Sequence, residues 1–292
     1  MTLPQPYAYF PVERTPLRMA PRLRPFGTDF GNGRGDRLFF QRDADYAAYA
    51  DAKLRVSKPG TPAPCSRLRL RAEDEREQSA HEAALSFAAD TLLREHPDLE
   101  PLSLAGDLEA RWHRLGLALQ EDLVLVQRDR LGVDRVLATQ VCFPSGWRPE
   151  QILGWDFRAV HEPVPGFAEQ SDTARSLASA MIDRGPYVRF IWTLCADKEL
   201  DHHPDFGART PWGPQSTHGW LRVERQVTLP LKAPEAALFL IRTYCTAFER
   251  LHPKQRATLA RAVACMPRAV RNYKQLPAEP IRRVLARSGP FA

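Results

Sequence analysis

The five cysteines of this 292-residue chain, Cys65, Cys142, Cys195, Cys245 and Cys265, include no C-x-x-C pair. That spacing argues against a cysteine-held zinc site or a ferredoxin-type cluster, and without C-x-x-C-H there is no covalent heme attachment. No G-x-S-x-G occurs, which removes the hydrolase nucleophile elbow. The glycine-rich stretch Gly31-Asn32-Gly33-Arg34-Gly35 lacks the strand-then-helix frame of a phosphate-binding loop. No run of about twenty apolar residues is present, so no membrane-spanning helix is expected. The start of the chain is broken by Pro4, Pro6, Pro11 and several arginines and reads as no signal peptide. No internal repeat is visible. The net charge is +6, with a pI near 9.2. Arginine is spread along the whole chain and forms no block, so the charge reads as a solvated surface rather than a nucleic-acid or membrane footprint. Unpaired cysteines in apolar contexts suit a reducing cytoplasm.

What is present is an ordinary globular composition, 43% hydrophobic and 26% charged, enough for a sizeable core. Period-2 apolar stretches predict five strands, over Leu123–Arg128, Val136–Phe143, Tyr187–Cys195, Gly219–Leu231 and Ala236–Phe248. Helical spacing predicts helices over Asp45–Leu54, 72–96, 106–118, Asp172–Asp183, Pro253–Met266 and Pro280–Arg287. The 72–96 helix opens on Glu73, Asp74, Glu75 and Glu77, which suits the positive end of its dipole. His81, His96 and His113 lie on or beside the first helices and read as surface or capping residues. Pro59, Pro62 and Pro64 read as a linker. The class is α+β with a mostly antiparallel sheet. Three segments are expected: an N-terminal arm and short helix over 1–65, a core over 66–250, and C-terminal helices over 251–292.

The segment from Phe143 to Phe167 combines Trp147, Trp155, several prolines and His161. Proline pushes the residue before it toward extended backbone, so Glu162 and Val164 are expected to be extended and His161 to lead into a stiff, non-helical run. Such a setting suits an imidazole held in one place. The alternative is a histidine that only caps a turn. His202, His203 and His218, with Asp201 and Asp205 nearby, offer a rival metal-binding loop, although their spacing fits no standard zinc pattern.

Phe143-Pro144-Ser145-Gly146-Trp147, then His161 followed by Pro163-Val164-Pro165, then Leu221-Arg222-Val223-Glu224-Arg225-Gln226 and the strand ending Ile241-Arg242-Thr243-Tyr244, follow one another along the chain. In these motifs, and in Trp192, the chain resembles the heme-dependent oxidative N-demethylase-like family, specifically its heme-binding alpha subunit. The resemblance spans roughly Leu38 to Tyr244. The sequence departs from the family pattern at Glu162, Ile191 and Val227.

The resemblance implies a PAS-like fold, with a five-stranded sheet and flanking helices enclosing heme b, and His161 as the axial metal ligand. It points to Trp147, Trp192, Arg222 and Arg225 as cofactor-binding residues. Arg222 and Arg225 are three apart and so face opposite sides of an ideal strand, one toward the heme and the other toward the surface. Arg222 is the expected inward residue, able to fork a propionate or reach bound oxygen. Asp197 and Glu199, at a strand end, are the expected partners of a protonated amine. The implied activity is oxidative N-demethylation of a small secondary amine, giving formaldehyde and a shorter amine from oxygen. Electrons are expected from NADPH through a separate reductase subunit carrying flavin and an iron–sulfur centre, with a folate-linked subunit handling formaldehyde. A heme-binding sensor or scaffold without turnover is the competing reading, since fold does not settle function.

Overall fold

Seven strands pair in one antiparallel sheet: β1 (Arg24–Pro25), β2 (Leu68–Leu70), β3 (Asp122–Arg128), β4 (Asp134–Gln140), β5 (Tyr187–Cys195), β6 (Trp220–Leu231) and β7 (Ala236–Ala247). Their spatial order is β1-β5-β6-β7-β3-β4-β2. The computed structural model describes residues 3–13, 22–57, 68–167, 171–205, 207, 209–231 and 235–287. The five strands expected from the sequence form the body of the sheet. The expectation of only five is corrected by β1 and β2 at the two edges, whose two and three residues are too few for a period of two to register. The proline linker at Pro59, Pro62 and Pro64, with Cys65, lies outside the described residues.

Eight α-helices accompany the sheet among the described residues: α1 (Tyr46–Ser57), α2 (Glu75–Glu95), α3 (Leu108–Ala118), α4 (Phe157–His161), α5 (Ser171–Asp183), α6 (Pro253–Cys265), α7 (Arg268–Tyr273) and α8 (Ala278–Arg287). The acidic opening of α2 is capped by Asp74, whose carboxylate accepts the Glu77 amide at 2.9 Å, satisfying one of the unpaired first-turn donors. Asp107 caps α3 in the same way through Ala110 at 2.8 Å.

Alternation along β5, β6 and β7 sorts their side chains onto two faces. The first face carries Trp192 and Leu194 from β5, Leu221, Val223, Val227 and Leu229 from β6, and Leu238, Leu240 and Tyr244 from β7. Two apolar clusters cover it. One is built from α2 and α3 around Leu85, Trp112 and Leu115; the other comes from α6–α8 around Leu259, Val263 and Ile281 and also takes in Tyr9 and Val12 of the N-terminal arm.

The second face carries Arg189 and Ile191 opposite Gln226 and Glu224, with Ile241 and Thr243 next in register. Its apolar part is Val124, Val126 and Phe239, packed with Val136, Val141, Trp147, Ile152 and Val160, and with Phe157, Met181 and Ile182 of α4 and α5. The molecule is therefore lopsided: thick apolar helical layers on one side, and only α4 and α5 with a loop on the other.

His81 departs from its expected surface position. It is fully buried, its Nδ1 accepts from Trp112 Nε1 at 3.0 Å, and its Nε2 lies 2.6 Å from the Arg71 carbonyl oxygen. The sequence shows a polar residue on a helix but not the Trp112 and Arg71 partners that make its burial tolerable.

Candidate functional site

His161 closes α4 instead of leading into extended chain. Glu162, expected to be extended, has φ −51° and ψ −39°. The local push from Pro163 is overridden by two anchors on the helix. Asp134, at the start of β4, accepts the Phe157 amide at 2.6 Å, and Asp156 accepts the Ala159 amide at 2.7 Å. These fix a five-residue helix against the sheet and present His161 at its end.

The imidazole is half-buried between Phe157 and Phe167, with ring centroids 4.1 Å and 5.1 Å away. Its Nδ1 lies 2.8 Å from the Phe157 carbonyl oxygen. That oxygen can only accept, so Nδ1 carries the proton and Nε2 keeps its lone pair. Nε2 takes no hydrogen bond among the described residues. Burial pushes the His161 pKa down to about 4; the Phe157 carbonyl opposes this and the Arg189 charge adds to it. The ring is thus neutral at pH 7. A neutral imidazole, fixed through one nitrogen by a carbonyl and open at the other, is the donor form that metal ions take.

A polar ladder stands on the same face. Arg189 Nε donates to Gln226 Oε1 at 2.7 Å, and Gln226 Nε2 donates to Glu224 Oε2 at 2.9 Å. The hydroxyls of Thr228 and Thr243, also on this face, are buried without a hydrogen-bond partner.

Arg222 and Arg225 do lie on opposite faces, but neither reaches the surface: both are 1% exposed. Arg222 donates from Nε to Ser145 Oγ at 2.7 Å, from Nη1 to the Glu199 carbonyl at 3.2 Å, and from Nη2 to the carbonyls of Phe143 and Leu200, each at 2.9 Å. It ties the loop that starts Phe143-Pro144-Ser145 to the one after β5. Arg225, on the first face, donates to the Leu38 carbonyl at 2.9 Å and stands over the Phe26 ring.

Trp192 is also on the first face, under α7, where Lys274 Nζ donates to its carbonyl oxygen at 2.5 Å. Trp147 lies on the second face beside Val160. Asp197 is committed to its own loop, accepting from Glu199 N at 3.0 Å, from His202 Nε2 at 2.8 Å and from Thr210 N at 2.5 Å. Its burial is outweighed by these bonds, which hold the carboxyl below the usual range. The Glu199 side chain is exposed.

The rival histidines are dispersed. His202 pairs with Asp197, His203 Nε2 lies 3.1 Å from Glu150, and His218 Nδ1 lies 3.4 Å from Glu249. Among the described residues no three histidine, cysteine, aspartate or glutamate side chains converge to hold a metal ion. A surface depression of about 390 Å³, lined by Arg209, Trp212, Arg271 and Gln275 among others, includes none of the residues around His161.

The family described as haem-dependent oxidative N-demethylase, alpha subunit-like, matches residues 39–280. The chain belongs to that family. The match covers β2–β7, α1–α7 and the start of α8. Within this frame the second face brings together His161 and Trp147 and separates them from Trp192 and Arg225. Sequence reasoning did not single out Arg189, or Glu224 and Gln226 as a pair. Their alternation on β5 and β6 was the available signal, but strand register is needed to place Arg189 opposite Gln226. No described helix is long and apolar enough to cross a membrane.

Proposed function

We propose that this chain is the heme-binding subunit of an oxygenase that removes a methyl group from a small secondary amine. In this reading one heme b would bind at the second face of the sheet, in a PAS-like arrangement beside α4 and α5, and His161 would hold its iron. The observation that carries this reading is the His161 geometry: Nδ1 spent on the Phe157 carbonyl, Nε2 open, the ring neutral and walled by aromatics.

The surrounding residues fit the cofactor. Val124, Val126, Ile152 and Phe239 pack with Trp147 and with Val160, the neighbour of His161 in the chain, into an apolar cluster, surroundings that would suit a macrocycle and limit water at its iron. Arg222 acts here as a positioning residue, because its bonds to Ser145 and the Phe143 carbonyl hold the loop that delivers Trp147. Asp197 likewise fixes the 197–210 loop.

Bound heme supplies reductive activation of oxygen. In the overall reaction one oxygen atom enters an N-methyl C–H bond and the other leaves as water, using two electrons and two protons. The resulting hydroxymethyl amine breaks its C–N bond to give formaldehyde and the shorter amine. The sequence carries no dinucleotide fingerprint and no ferredoxin cysteine pattern; the family resemblance implies that electrons come from NADPH through a separate reductase with flavin and an iron–sulfur centre. A folate-linked subunit takes up the formaldehyde.

Hemin titration of the purified chain tests the first half, and a Soret band saturating at one heme per chain is expected. With reductase, NADPH and a small secondary amine, formaldehyde release is expected in step with NADPH use. A chain that shows no Soret band after hemin addition would sink the reading.

A further inference from the structure

Arg189 stands on the second face, half-buried, with unmet hydrogen-bonding capacity. Its Nε is taken by Gln226, but its two outer nitrogens have no hydrogen-bond partner among the described residues. Burial presses against its charge, and Glu224 is the carboxylate that offsets this. Yet Glu224 does not pair with it directly. Arg189 lies opposite Gln226 and Ile191 lies opposite Glu224, so Arg189 and Glu224 are diagonal neighbours, roughly 7–8 Å apart at their backbones. The Gln226 amide fills that gap, accepting from one and donating to the other. The outcome is a guanidinium and a carboxylate held apart at fixed spacing. The guanidinium fork is left open, and a planar fork is the group that recognises a carboxylate through two parallel bonds. Independently, the hydroxyls of Thr228 and Thr243 on the same face are buried without a hydrogen-bond partner, a second sign of unmet polar capacity there.

We propose that Arg189, steadied by Gln226, binds a carboxylate in the second-face site, with Glu224 beside it as the counter-charge. Two sources fit this chemistry. One is a heme propionate. The other is the carboxylate of the substrate itself, with Glu224 taking the protonated amine, which would make the substrate an N-methyl amino acid. The placement of the ligand on this face rests on the function proposed above.

The test uses Arg189→Gln and Arg189→Lys beside the wild-type chain, each checked by circular dichroism. Each is titrated with hemin and with iron protoporphyrin dimethyl ester, which lacks free carboxylates. Each loaded protein is then titrated with N-methylglycine and with an N-methyl amine of similar size lacking a carboxylate. For a propionate, Arg189→Gln weakens hemin uptake by roughly tenfold or more and leaves the ester unchanged. For a substrate carboxylate, hemin uptake is unchanged and N-methylglycine binding falls by a similar factor, while the simple amine is unaffected. Arg189→Lys, which keeps the charge and loses the fork, falls between. Should Arg189→Gln fail to fold, the Lys variant decides by the same comparison. Unchanged affinity for both carboxylates, or equal losses for the carboxylate and its carboxylate-free counterpart, overturns the proposal. A wild-type chain that takes up no hemin sinks the heme reading instead. Calorimetry of N-methylglycine against the unloaded wild-type and Arg189→Gln chains then decides Arg189 alone: a difference supports its role and none removes it.

Discussion

Glu121 is 1% exposed. One carboxyl oxygen accepts the Gln41 amide at 2.8 Å, and the other is buried without a partner. Burial pushes its pKa up to about 7 from an ordinary 4.5, against the pull of Arg242 and Arg225. Because the folded value is the higher one, folding binds a proton between these limits. The associated stability is present below about pH 4.5 and is lost as the pH rises through about 7. Glu121→Gln removes this dependence. Urea unfolding at pH 5 and pH 8 should show the variant gaining on wild type by on the order of 3 kcal/mol across that interval; a constant difference would contradict the assignment. At this scale the sequence was partly legible. A spacing of three correctly placed Arg222 and Arg225 on opposite faces, but it gave no sign that Leu38 and the Phe143–Leu200 loops would supply the carbonyls that bury both. Arg189 was not singled out, because its partner Gln226 is thirty-seven residues away.

The long strands and helices followed their periodicity, and the exceptions are all short elements. α4 was missed because the Pro163 rule is local, whereas the Asp134 and Asp156 bonds that override it depend on β4 being in place. α7, six residues long, is below the length at which helical spacing is distinguishable. Between α3 and β4 the packing is close. A Cβ on Gly116 would lie 2.5 Å from Cγ of Gln140, a fully buried side chain that would have to shift. Gly116→Ala therefore sets a helix-propensity gain of about 1 kcal/mol against overpacking of about 1–3 kcal/mol. The clash should win, lowering the urea midpoint without changing its slope. A raised midpoint would mean that α3 can shift from β4 at little cost.

Across the whole molecule the two faces divide the labour. The first face, with α2, α3 and α6–α8, holds nearly all of the apolar core. The second face, carrying the smaller apolar clusters, is left to polar rungs, orphan hydroxyls and His161. Removing a group from the second face should thus change binding more than folding. His161→Ala tests this most directly. The variant and wild type are titrated with hemin and compared by Soret and visible absorption, with circular dichroism as the control and His202→Ala as a second control outside the site. Loss of the wild-type axial spectrum in a folded His161→Ala chain, with His202→Ala unchanged, is the expected result. A folded His161→Ala chain that keeps the wild-type spectrum would show that another residue holds the iron.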